Sequence, residues 1–472
     1  MMDSQAFRKY AHDFVDWMAD YLENVQELPV KSKVQPGEII SQIPDAPPRE
    51  GESMETVFED FKNIILPGMT HWQSPNYFAY FTANSSYPSV LAEMLTATLA
   101  AQCMVWETSP AAAELEESMM NWLRDMIGLP DTFEGVIQDT ASTATLVALL
   151  TAREMISRYR INKEGFSGEE FYRIYCSTEA HSSIEKAVKI AGFGKQNLVH
   201  IETDEQLAMQ PEKLREAIQK DIDNGFSPLC VVAALGTTGT VAIDPLEPIG
   251  EICKTFDTWL HVDAAYAGTA LVLPEQRYMI RGIENVDSFV FNPHKWMFTN
   301  FDCSAYFVRD TEALIRTFEI LPEYLKTNTR GQVNDYRDWG IQLGRRFRAL
   351  KLWFVIRDFG VEGIQNKVKD HIHWAGELGD AIRNEPGFKL FEPQHLGLVC
   401  FRYVPGDGLD TKEVNTLNDR LMKSLNDSGK MFLTHTKVNG EILLRVVVGQ
   451  TSVTREHVFK AWELIKQTAA NI

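Results

Sequence analysis

Cysteine is sparse in this chain and is scattered along it. The six cysteines form no Cys-x-x-Cys pair in a sequence of 472 residues. This spacing predicts reduced core thiols of a cytosolic protein and argues against a disulfide framework or a zinc site. We therefore expect a cytoplasmic location and no bound metal.

Long apolar runs and basic charge are scarce as well. No apolar stretch approaches the roughly 20 residues of a membrane span, and the N-terminus lacks the basic and apolar segments of a secretory signal. Only 46 basic residues stand against 65 acidic ones, which gives a net charge of −19. Because phosphate backbones and anionic lipids require a basic surface, we expect no nucleic-acid partner and no membrane partner.

A strand–helix rhythm begins at about residue 130. Such alternation indicates β-α-β units and a mainly parallel sheet that is buried on both faces. The predicted strands are Gly135–Gln138, Tyr172–Cys176, Leu198–Ile201, Leu229–Leu235, Trp259–Asp263, Ser288–Phe291 and Ser304–Val308. The predicted helices include Ser142–Glu154, Ser183–Ala191, Pro211–Asp223 and Pro245–Phe256. The link between the last two strands is too short for a crossover helix, so the fold class is α/β with a seven-stranded sheet and one antiparallel strand.

The two ends of the chain differ from this central part. Apolar residues recur at helical spacing near the N-terminus, at Phe7, Tyr10, Phe14, Met18, Tyr21, Leu22 and Val25. Ser4 is a plausible N-cap for this helix, which must pack on its own core or on a partner subunit. A helix over Arg345–Asp358 and strands at Leu398–Tyr403 and Ile442–Val448 predict a small α+β C-terminal domain. We place the domains at 1–84, 85–352 and 353–472.

Lys295 is the most informative single residue. It follows the strand Asp287–Phe291 within Asn-Pro-His-Lys-Trp, where Pro293 is rigid and Trp296 is aromatic. Most lysines are solvated surface charges. Upstream, however, Asp263 ends a neighbouring strand, and a sheltered amine beside a carboxylate suits pyridoxal phosphate: the lysine attaches the cofactor and the carboxylate keeps its pyridine nitrogen protonated.

Three further strand ends carry candidate cofactor contacts. Gln138–Ala144 runs from a strand into a helix, where free N–H groups and small side chains favour a phosphate. Taken alone, Ser142 or Thr143 there could simply be an N-cap. His181 could stack on a pyridine ring or could be structural, and Thr238 could reach the cofactor or belong to a plain turn.

The chain resembles the group II pyridoxal-phosphate decarboxylases of fold type I, and most closely the aromatic-L-amino-acid decarboxylases. The motifs that carry the resemblance are His71–Pro75, Phe78–Phe81, Gln138–Ala144, Ala180–Ser183, the Asp263 and Lys295 motifs, Pro322–Lys326 and Gly344–Arg348. The likeness is strong over roughly residues 1–370 and looser beyond them. It implies decarboxylation of an aromatic L-amino acid to an arylalkylamine and CO2.

The resemblance also implies roles for matched residues. Lys295 would be the attachment lysine, Asp263 would pair with the pyridinium, and His181 would stack over the ring. The other implied cofactor contacts are Ala265 on the second ring face, Thr238 at the ring substituents, and Ala141, Ser142, Asn292 and His294 at the phosphate. Tyr324 would donate a proton to Cα from a mobile loop that includes Thr327–Gln332. The implied substrate pocket consists of Trp72, Tyr80, Phe81 and, from a partner subunit of a homodimer, Met104.

Some features depart from the animal members of the family or leave alternatives open. Thr143 replaces a common acidic residue, Met104 replaces a common aromatic one, and the lid loop is shorter. Gly344 resembles the small residue that accompanies indole substrates in plant relatives, so we lean slightly to tryptophan, with tyrosine, phenylalanine and DOPA open. An aromatic aldehyde synthase would oxidise the decarboxylated intermediate with O2, but Tyr324 and His181 argue against it. The remaining alternatives are a glutamate decarboxylase, an aminotransferase and a non-catalytic pyridoxal-phosphate-binding protein.

Overall fold

A computed structural model describes residues 2–168, 171–320, 332–406 and 408–472. Its helices are α1 (Ser4–Asn24), α2 (Met54–Asp60), α3 (Tyr87–Leu99), α4 (Pro110–Ile127), α5 (Ala141–Ile156), α6 (Arg160–Glu164), α7 (Ser183–Ile190), α8 (Pro211–Asp223), α9 (Leu246–Thr255), α10 (Pro293–Trp296), α11 (Thr311–Phe318), α12 (Arg348–Arg383), α13 (Thr411–Asp427) and α14 (Arg455–Ala469). None of the helices in these ranges combines the length and the apolarity that crossing a bilayer requires.

The strands form two sheets. They are β1 (Glu134–Gln138), β2 (Tyr172–Ser177), β3 (Leu198–Ile201), β4 (Ser227–Ala234), β5 (Trp259–Asp263), β6 (Ser288–Phe291), β7 (Ser304–Val308), β8 (Phe388–Leu390), β9 (Leu398–Tyr403), β10 (Thr434–Val438) and β11 (Glu441–Val447). Among the described residues, the large sheet has seven strands in the order β1-β7-β6-β5-β4-β2-β3. Only β7 runs antiparallel to its neighbours in it, which confirms the predicted α/β fold class.

Contacts divide the chain into two compact units. The first comprises Met1–Thr82, Trp374–Phe391 and Val399–Ile472, and the second comprises Ala83–His373 and Glu392–Leu398. The predicted three-part division into 1–84, 85–352 and 353–472 stays a prediction.

The second unit is built around the large sheet and α5. Thr140 caps α5 by accepting the N–H group of Thr143 at 3.4 Å. Ala144 and Ala148 are fully buried in the core that α5 shares with the sheet and α7, and their small side chains let the helix approach closely. The inner residues of β4 and β5 are buried on both faces, and each large apolar side chain buried in this way contributes roughly 1.5–3 kcal/mol.

The first unit contains the four-stranded sheet β10-β11-β9-β8. Two backbone bonds link the N-terminal segment to it, because Phe78 donates to the Phe432 carbonyl at 2.9 Å and Val447 donates to the Phe78 carbonyl at 3.0 Å. In α1, the Phe14 ring lies 4.4 Å from that of Phe58, but none of the α1 residues is buried. The apolar stripe of α1 is therefore only partly covered within this unit.

Local details differ from the sequence predictions. The N-cap of α1 is Asp3, whose carboxylate accepts the N–H groups of Gln5 and Ala6 at 3.0 and 2.8 Å; Ser4 is instead the first helical residue, so that prediction was wrong. The C-terminal strands β9 and β11 match their predictions, whereas β8 and β10 were missed. The long helix α12 starts at Arg348, not at Arg345, and is interrupted by Gly360 at a φ of 68°.

Candidate active site

Asp263 and Lys295 lie at the same edge of the large sheet. Asp263 is the last residue of β5, and its Oδ1 accepts the N–H group of Ala265 at 3.1 Å. Lys295 lies in the short α10, which Asn292 connects to β6. Because Asp263 pairs with Val290 of β6, and Asn292 donates its N–H to the Ala265 carbonyl at 3.1 Å, the two segments run side by side beyond the strands.

Trp296 fixes the short helix α10, which contains Lys295, through two contacts. Its indole stacks on Tyr266 with centroids 4.6 Å apart and planes 11° apart, and its Nε1 donates to Nδ1 of His371 at 3.0 Å. Burial lowers the pKa of His371 to about 3, so its ring stays neutral and can accept this bond. On the other side, Asn84 donates its N–H to the His294 carbonyl at 3.1 Å and its side-chain amide to the Lys295 carbonyl.

The carboxylate of Asp263 acts electrostatically on Lys295 and on His181. Burial lowers the pKa of Lys295, and the carboxylate of Asp263 opposes that shift. Burial also lowers the pKa of His181, with Asp263 raising it and Lys295 lowering it further. A lysine with a lowered pKa has more of the neutral, nucleophilic amine, so the structure brings together the three residues that the sequence singled out.

The proton on His181 can be placed from its hydrogen bonds. Nδ1 lies 3.2 Å from the backbone nitrogen of Ser183 and 2.8 Å from its Oγ. A backbone N–H can only donate, so Nδ1 accepts and the neutral ring carries its proton on Nε2.

The predicted phosphate contacts converge at the start of α5. Ala141 and Ser142 lie in its first turn, where backbone N–H groups have no partner within the helix. Since Thr140 is the N-cap, Ser142 and Thr143 are not needed for that role. Ser304, the first residue of β7, donates to Oδ1 of Asn292 at 2.7 Å and lies 3.3 Å from the Asp139 carbonyl.

His294 has a defined state in this cluster. Its Nδ1 accepts the N–H group of Cys303 at 2.9 Å, and burial lowers its pKa to about 3. His294 is therefore a neutral donor through Nε2. The helix start, the amide of Asn292 and this imidazole make a set of neutral donors that suits an anion.

Two other predicted cofactor residues lie at this edge. Thr238 is exposed in the turn after β4, where Thr237 Oγ1 accepts the N–H group of Ala242 at 3.0 Å. Ala265 is half-buried and packs on the core of the second unit. An amine of lowered pKa, a carboxylate, a neutral imidazole and a helix start together fit pyridoxal phosphate by the chemistry of their groups.

The predicted substrate residues are divided between the units. In the first unit, Trp72 stacks on Tyr80 with centroids 6.0 Å apart, and Arg445 lies 5.4 Å above the Phe81 ring. Met104 and Gly344 belong to the second unit. Tyr324 and most of the predicted lid loop lie outside the described residues. The roles assigned to individual residues in substrate binding stay predictions.

Sequence reasoning missed several supporting residues. Ser304, Asn84 and His371 lie outside the motifs that the sequence singled out. The signal that could have found Ser304 is the antiparallel pairing of β7, which places the first residue of that strand between β1 and β6.

Residues 36–404 match the pyridoxal-dependent decarboxylase conserved domain. This match covers most of the chain, so the chain belongs to the family of pyridoxal-dependent decarboxylases. It is a carbon–carbon lyase, and its cofactor is pyridoxal 5′-phosphate.

Within that family, the similarity to particular proteins covers the whole chain. Tryptophan decarboxylase 2 of Oryza sativa subsp. japonica is 42% identical over 100% of this chain and 96% of its own length. Phenylacetaldehyde synthase of Arabidopsis thaliana is also 42% identical, over 99% of this chain and 97% of its own. The crystal structure of Oryza sativa TDC with PLP and tryptamine superposes with a TM-score of 0.96 at 36% identity, covering 100% of this chain and 99% of that one.

Proposed function

We propose that this enzyme decarboxylates aromatic L-amino acids to arylalkylamines and CO2. The observation that carries the proposal is the position of Asp263 at the end of β5, Lys295 in α10 after β6 and the start of α5 at one edge of the large sheet. The full-length similarity to a protein named tryptophan decarboxylase supports the aromatic substrate.

Each of these side chains has a defined task. Lys295, whose pKa burial lowers, provides the amine that serves as the attachment point. The carboxylate of Asp263 holds a proton at the pyridine nitrogen, because a nearby anion raises the pKa of a basic nitrogen. His181 offers a neutral ring as a stacking surface, and its Nε2–H group, which lies in the ring plane, is available to an acceptor at the edge of the ring.

When bound, pyridoxal phosphate supplies an electron sink for the pair that the departing carboxylate leaves behind. The residues of the substrate pocket would select the bond that breaks by orienting the substrate carboxylate. Tyr324, outside the described residues, is the proposed donor of the proton that Cα then receives.

A panel of aromatic amino acids, assayed for amine and for CO2, tests this proposal. We expect equal amounts of the two products from at least one of tryptophan, tyrosine, phenylalanine and DOPA. Amine transfer without CO2 release would identify an aminotransferase instead. Glutamate as the only substrate that releases CO2 would overturn the aromatic assignment.

The second candidate is an aromatic aldehyde synthase, which the 42% identity to phenylacetaldehyde synthase favours. Such relatives replace the loop tyrosine by phenylalanine or the stacking histidine by asparagine, whereas this chain has Tyr324 and His181. We therefore expect amine without hydrogen peroxide. Peroxide and ammonia in step with CO2 would select the synthase.

Tryptophan is the proposed preferred substrate, and Gly344 is the reason. A Cβ atom at this position would lie 3.3 Å from Nε2 of Gln102, so a side chain would crowd that neighbour. We expect a higher kcat/KM for tryptophan than for tyrosine, and Gly344→Ser should shift the ratio towards tyrosine. A wild-type preference for tyrosine would contradict this assignment.

A homodimer is the proposed assembly. In the second unit, α3 exposes an apolar stripe formed by Tyr87, Leu91, Met94, Leu95 and Leu99, which are 36% to 62% exposed. In the first unit, Phe7 of α1 is 61% exposed. Patches of this kind mark interaction surfaces, and a second copy is the occupant that a two-fold axis would place there.

Solution mass tests the assembly. We expect a dimer for the wild type and a monomer for the double variant Leu91→Glu, Leu95→Glu, whereas Ile190→Glu, also an exposed apolar residue at 63%, should stay dimeric. A wild-type monomer would contradict the proposal.

We also propose a cytoplasmic location, which the six free and buried cysteines support. Fractionation of the source cells tests it, and activity confined to a membrane or secreted fraction would contradict it.

A further inference from the structure

Arg345 and Glu116 form a buried ion pair close to the end of β1. The guanidinium donates to both carboxylate oxygens, at 3.1 and 2.6 Å, and the two side chains are only 5% and 3% exposed. The pair also binds both backbone groups of Ile137 in β1, because Glu116 accepts its N–H at 2.9 Å and Arg345 donates to its carbonyl at 2.9 Å. Two charges and one strand residue are thus fixed as a unit.

The cofactor side of the site begins directly after Ile137. Gln138 donates its side-chain amide to the Trp339 carbonyl at 3.1 Å, and Gln342 donates to Oδ2 of Asp139 at 3.0 Å. The next residue, Thr140, caps α5. Three consecutive residues that lead into the phosphate-binding helix start are therefore bonded to the segment 339–345.

The backbone of the same arginine holds a second segment. Arg345 donates its N–H to Oε1 of Gln102 at 2.7 Å, and Cys103 donates its N–H to the Arg345 carbonyl at 3.0 Å. The carbonyl of the following residue, Met104, accepts the N–H group of Arg337 at 2.9 Å. Gln102 is also the residue that a side chain at position 344 would crowd.

We propose that Arg345 is a positioning residue that fixes the phosphate-binding turn of its own chain relative to the substrate-side residues Met104 and Gly344, and the proposed dimer places this Met104 in the pocket of the partner subunit. Its side chain, through Glu116, sets the end of β1, and its backbone sets the segment 102–104. The substrate-side half of this inference rests on the proposed function. The cofactor-side half requires only the family's cofactor.

Glu116→Gln is the central test, because it keeps the size and one acceptor oxygen but removes the charge. We expect about a 10-fold weaker binding of pyridoxal phosphate to the apoenzyme and a changed ratio of kcat/KM for tryptophan and tyrosine, since small misplacements at a site have effects of this size or larger. Cofactor binding is measured by absorbance titration, without substrate.

Glu154→Gln is the matched control. Glu154 is also fully buried, pairs with Arg153 at 2.8 Å and accepts the N–H group of Asn162 at 3.0 Å. It lies near the far end of α5, roughly 20 Å from the phosphate-binding turn at a rise of about 1.5 Å per residue. We expect this variant to lose thermal stability but to keep the wild-type cofactor affinity and substrate ratio.

Two milder variants test the cofactor-side half and the substrate-side half of the inference separately. They also provide a test if the Glu116→Gln variant does not fold. Gln342→Leu removes only the bond to Asp139 and should weaken cofactor binding about 3-fold without a change in substrate ratio. Gln102→Ala removes only the bond to the Arg345 N–H and should change the substrate ratio about 3-fold at unchanged cofactor affinity. Both factors correspond to the loss of one ordinary hydrogen bond.

The outcomes are distinguishable. If Glu116→Gln and Glu154→Gln lower the melting temperature alike and neither changes cofactor affinity or substrate ratio, the pair is merely structural and the inference is wrong. Unchanged cofactor affinity and unchanged ratio in both milder variants would overturn it equally. If the wild type releases no CO2 from any aromatic amino acid, the proposed function fails, while the substrate-free titration still decides the cofactor half.

Discussion

The two edges of the large sheet each carry a sheltered aspartate, but only one edge is equipped for catalysis. Asp263, at the end of β5, influences both Lys295 and His181. Asp287, just before β6, accepts the N–H group of Leu260 at 2.7 Å, and burial raises its pKa to about 6. A shifted carboxyl pKa therefore does not by itself locate an active site in this fold.

The orientation of the helices explains the difference. The start of α5 lies at the Asp263 edge, whereas its last residues, Met155 and Ile156, line a cavity of about 480 Å³ that Asp287 also lines. Helix starts present N–H groups and a partial positive charge, and helix ends present carbonyls and a partial negative charge. One edge thus attracts a phosphate and the other disfavours it, although the same helix spans both.

The largest expected effect separates the lysines at the two edges. Lys295→Ala should lower CO2 release more than about 1,000-fold, as loss of a covalent catalytic group does, and should remove the visible absorbance of the bound cofactor. Lys254→Ala, in the cavity at the opposite edge, should change neither. Equal losses of CO2 release in the two variants would contradict the assignment of catalysis to the Asp263 edge of the sheet.

The two aspartates come next. Asp263→Ala should lower kcat at least about 100-fold, the scale on which one preorganised electrostatic group acts. Asp287→Asn should leave kcat within about 2-fold, because its carboxyl is bonded within the sheet at the other edge. Steady-state kinetics on saturated holoenzyme measure both, and a near-normal kcat for Asp263→Ala with bound cofactor would rule out its pairing with the pyridinium.

The serines of β6 and β7 give a smaller effect. Ser304→Ala should weaken cofactor binding about 2- to 10-fold, since it removes the bond to Asn292 and one hydrogen bond contributes about 0.5–1.5 kcal/mol. Ser288, whose Oγ lies 2.9 Å from Nε1 of Trp259, is the control: Ser288→Ala should lower stability without changing cofactor affinity. Unchanged affinity in Ser304→Ala would remove Ser304 from the site.

The smallest expected effect is on the pH dependence of the free energy of unfolding, to which Asp287 contributes. An unfolded aspartate titrates near pH 3.9, whereas the pKa of Asp287 is about 6 in the folded chain. The folded state therefore binds more protons between these values, and stability falls as pH rises through that window. Asp287→Asn removes this loss, so its free energy of unfolding should improve relative to wild type by on the order of 1 kcal/mol from about pH 4 to about pH 7.

Urea unfolding at the two pH values measures this difference. Burial also raises the pKa of Asp244 to about 6. Asp244 is present in both the wild type and the variant, so its contribution to the pH dependence cancels in the difference between them. A difference that does not depend on pH would show that Asp287 has its ordinary pKa.

The strand ends were predictable from the sequence because their causes are local. Short apolar runs of β-branched and aromatic residues mark β5 and β6, and the polar residues that follow them, Asp263 and Asn292, must lie at one edge of a parallel sheet. The antiparallel β7 followed from the length of a single link. These arguments need only spacing and handedness.

The supporting contacts were not predictable, because they join residues far apart in the chain. Arg345 and Glu116 are 229 positions apart, and Trp296 and His371 are 75 apart. The N-cap residue of α5 could not be identified from the sequence for a different reason. Thr140, Ser142 and Thr143 are all residue types that suit an N-cap, and only the backbone geometry selects Thr140. The residues assigned to the substrate pocket stay predictions.

The antiparallel strand β7 has a consequence for the order of assembly. Its first residue, Ser304, can bridge Asp139 and Asn292 only after β7 has paired with β1 on one side and β6 on the other. The β1–β7 contact closes a loop of most of the second unit, and such non-local contacts form late and slowly. We therefore expect a newly made chain to reach its full affinity for pyridoxal phosphate only after β7 has paired with both of its neighbours.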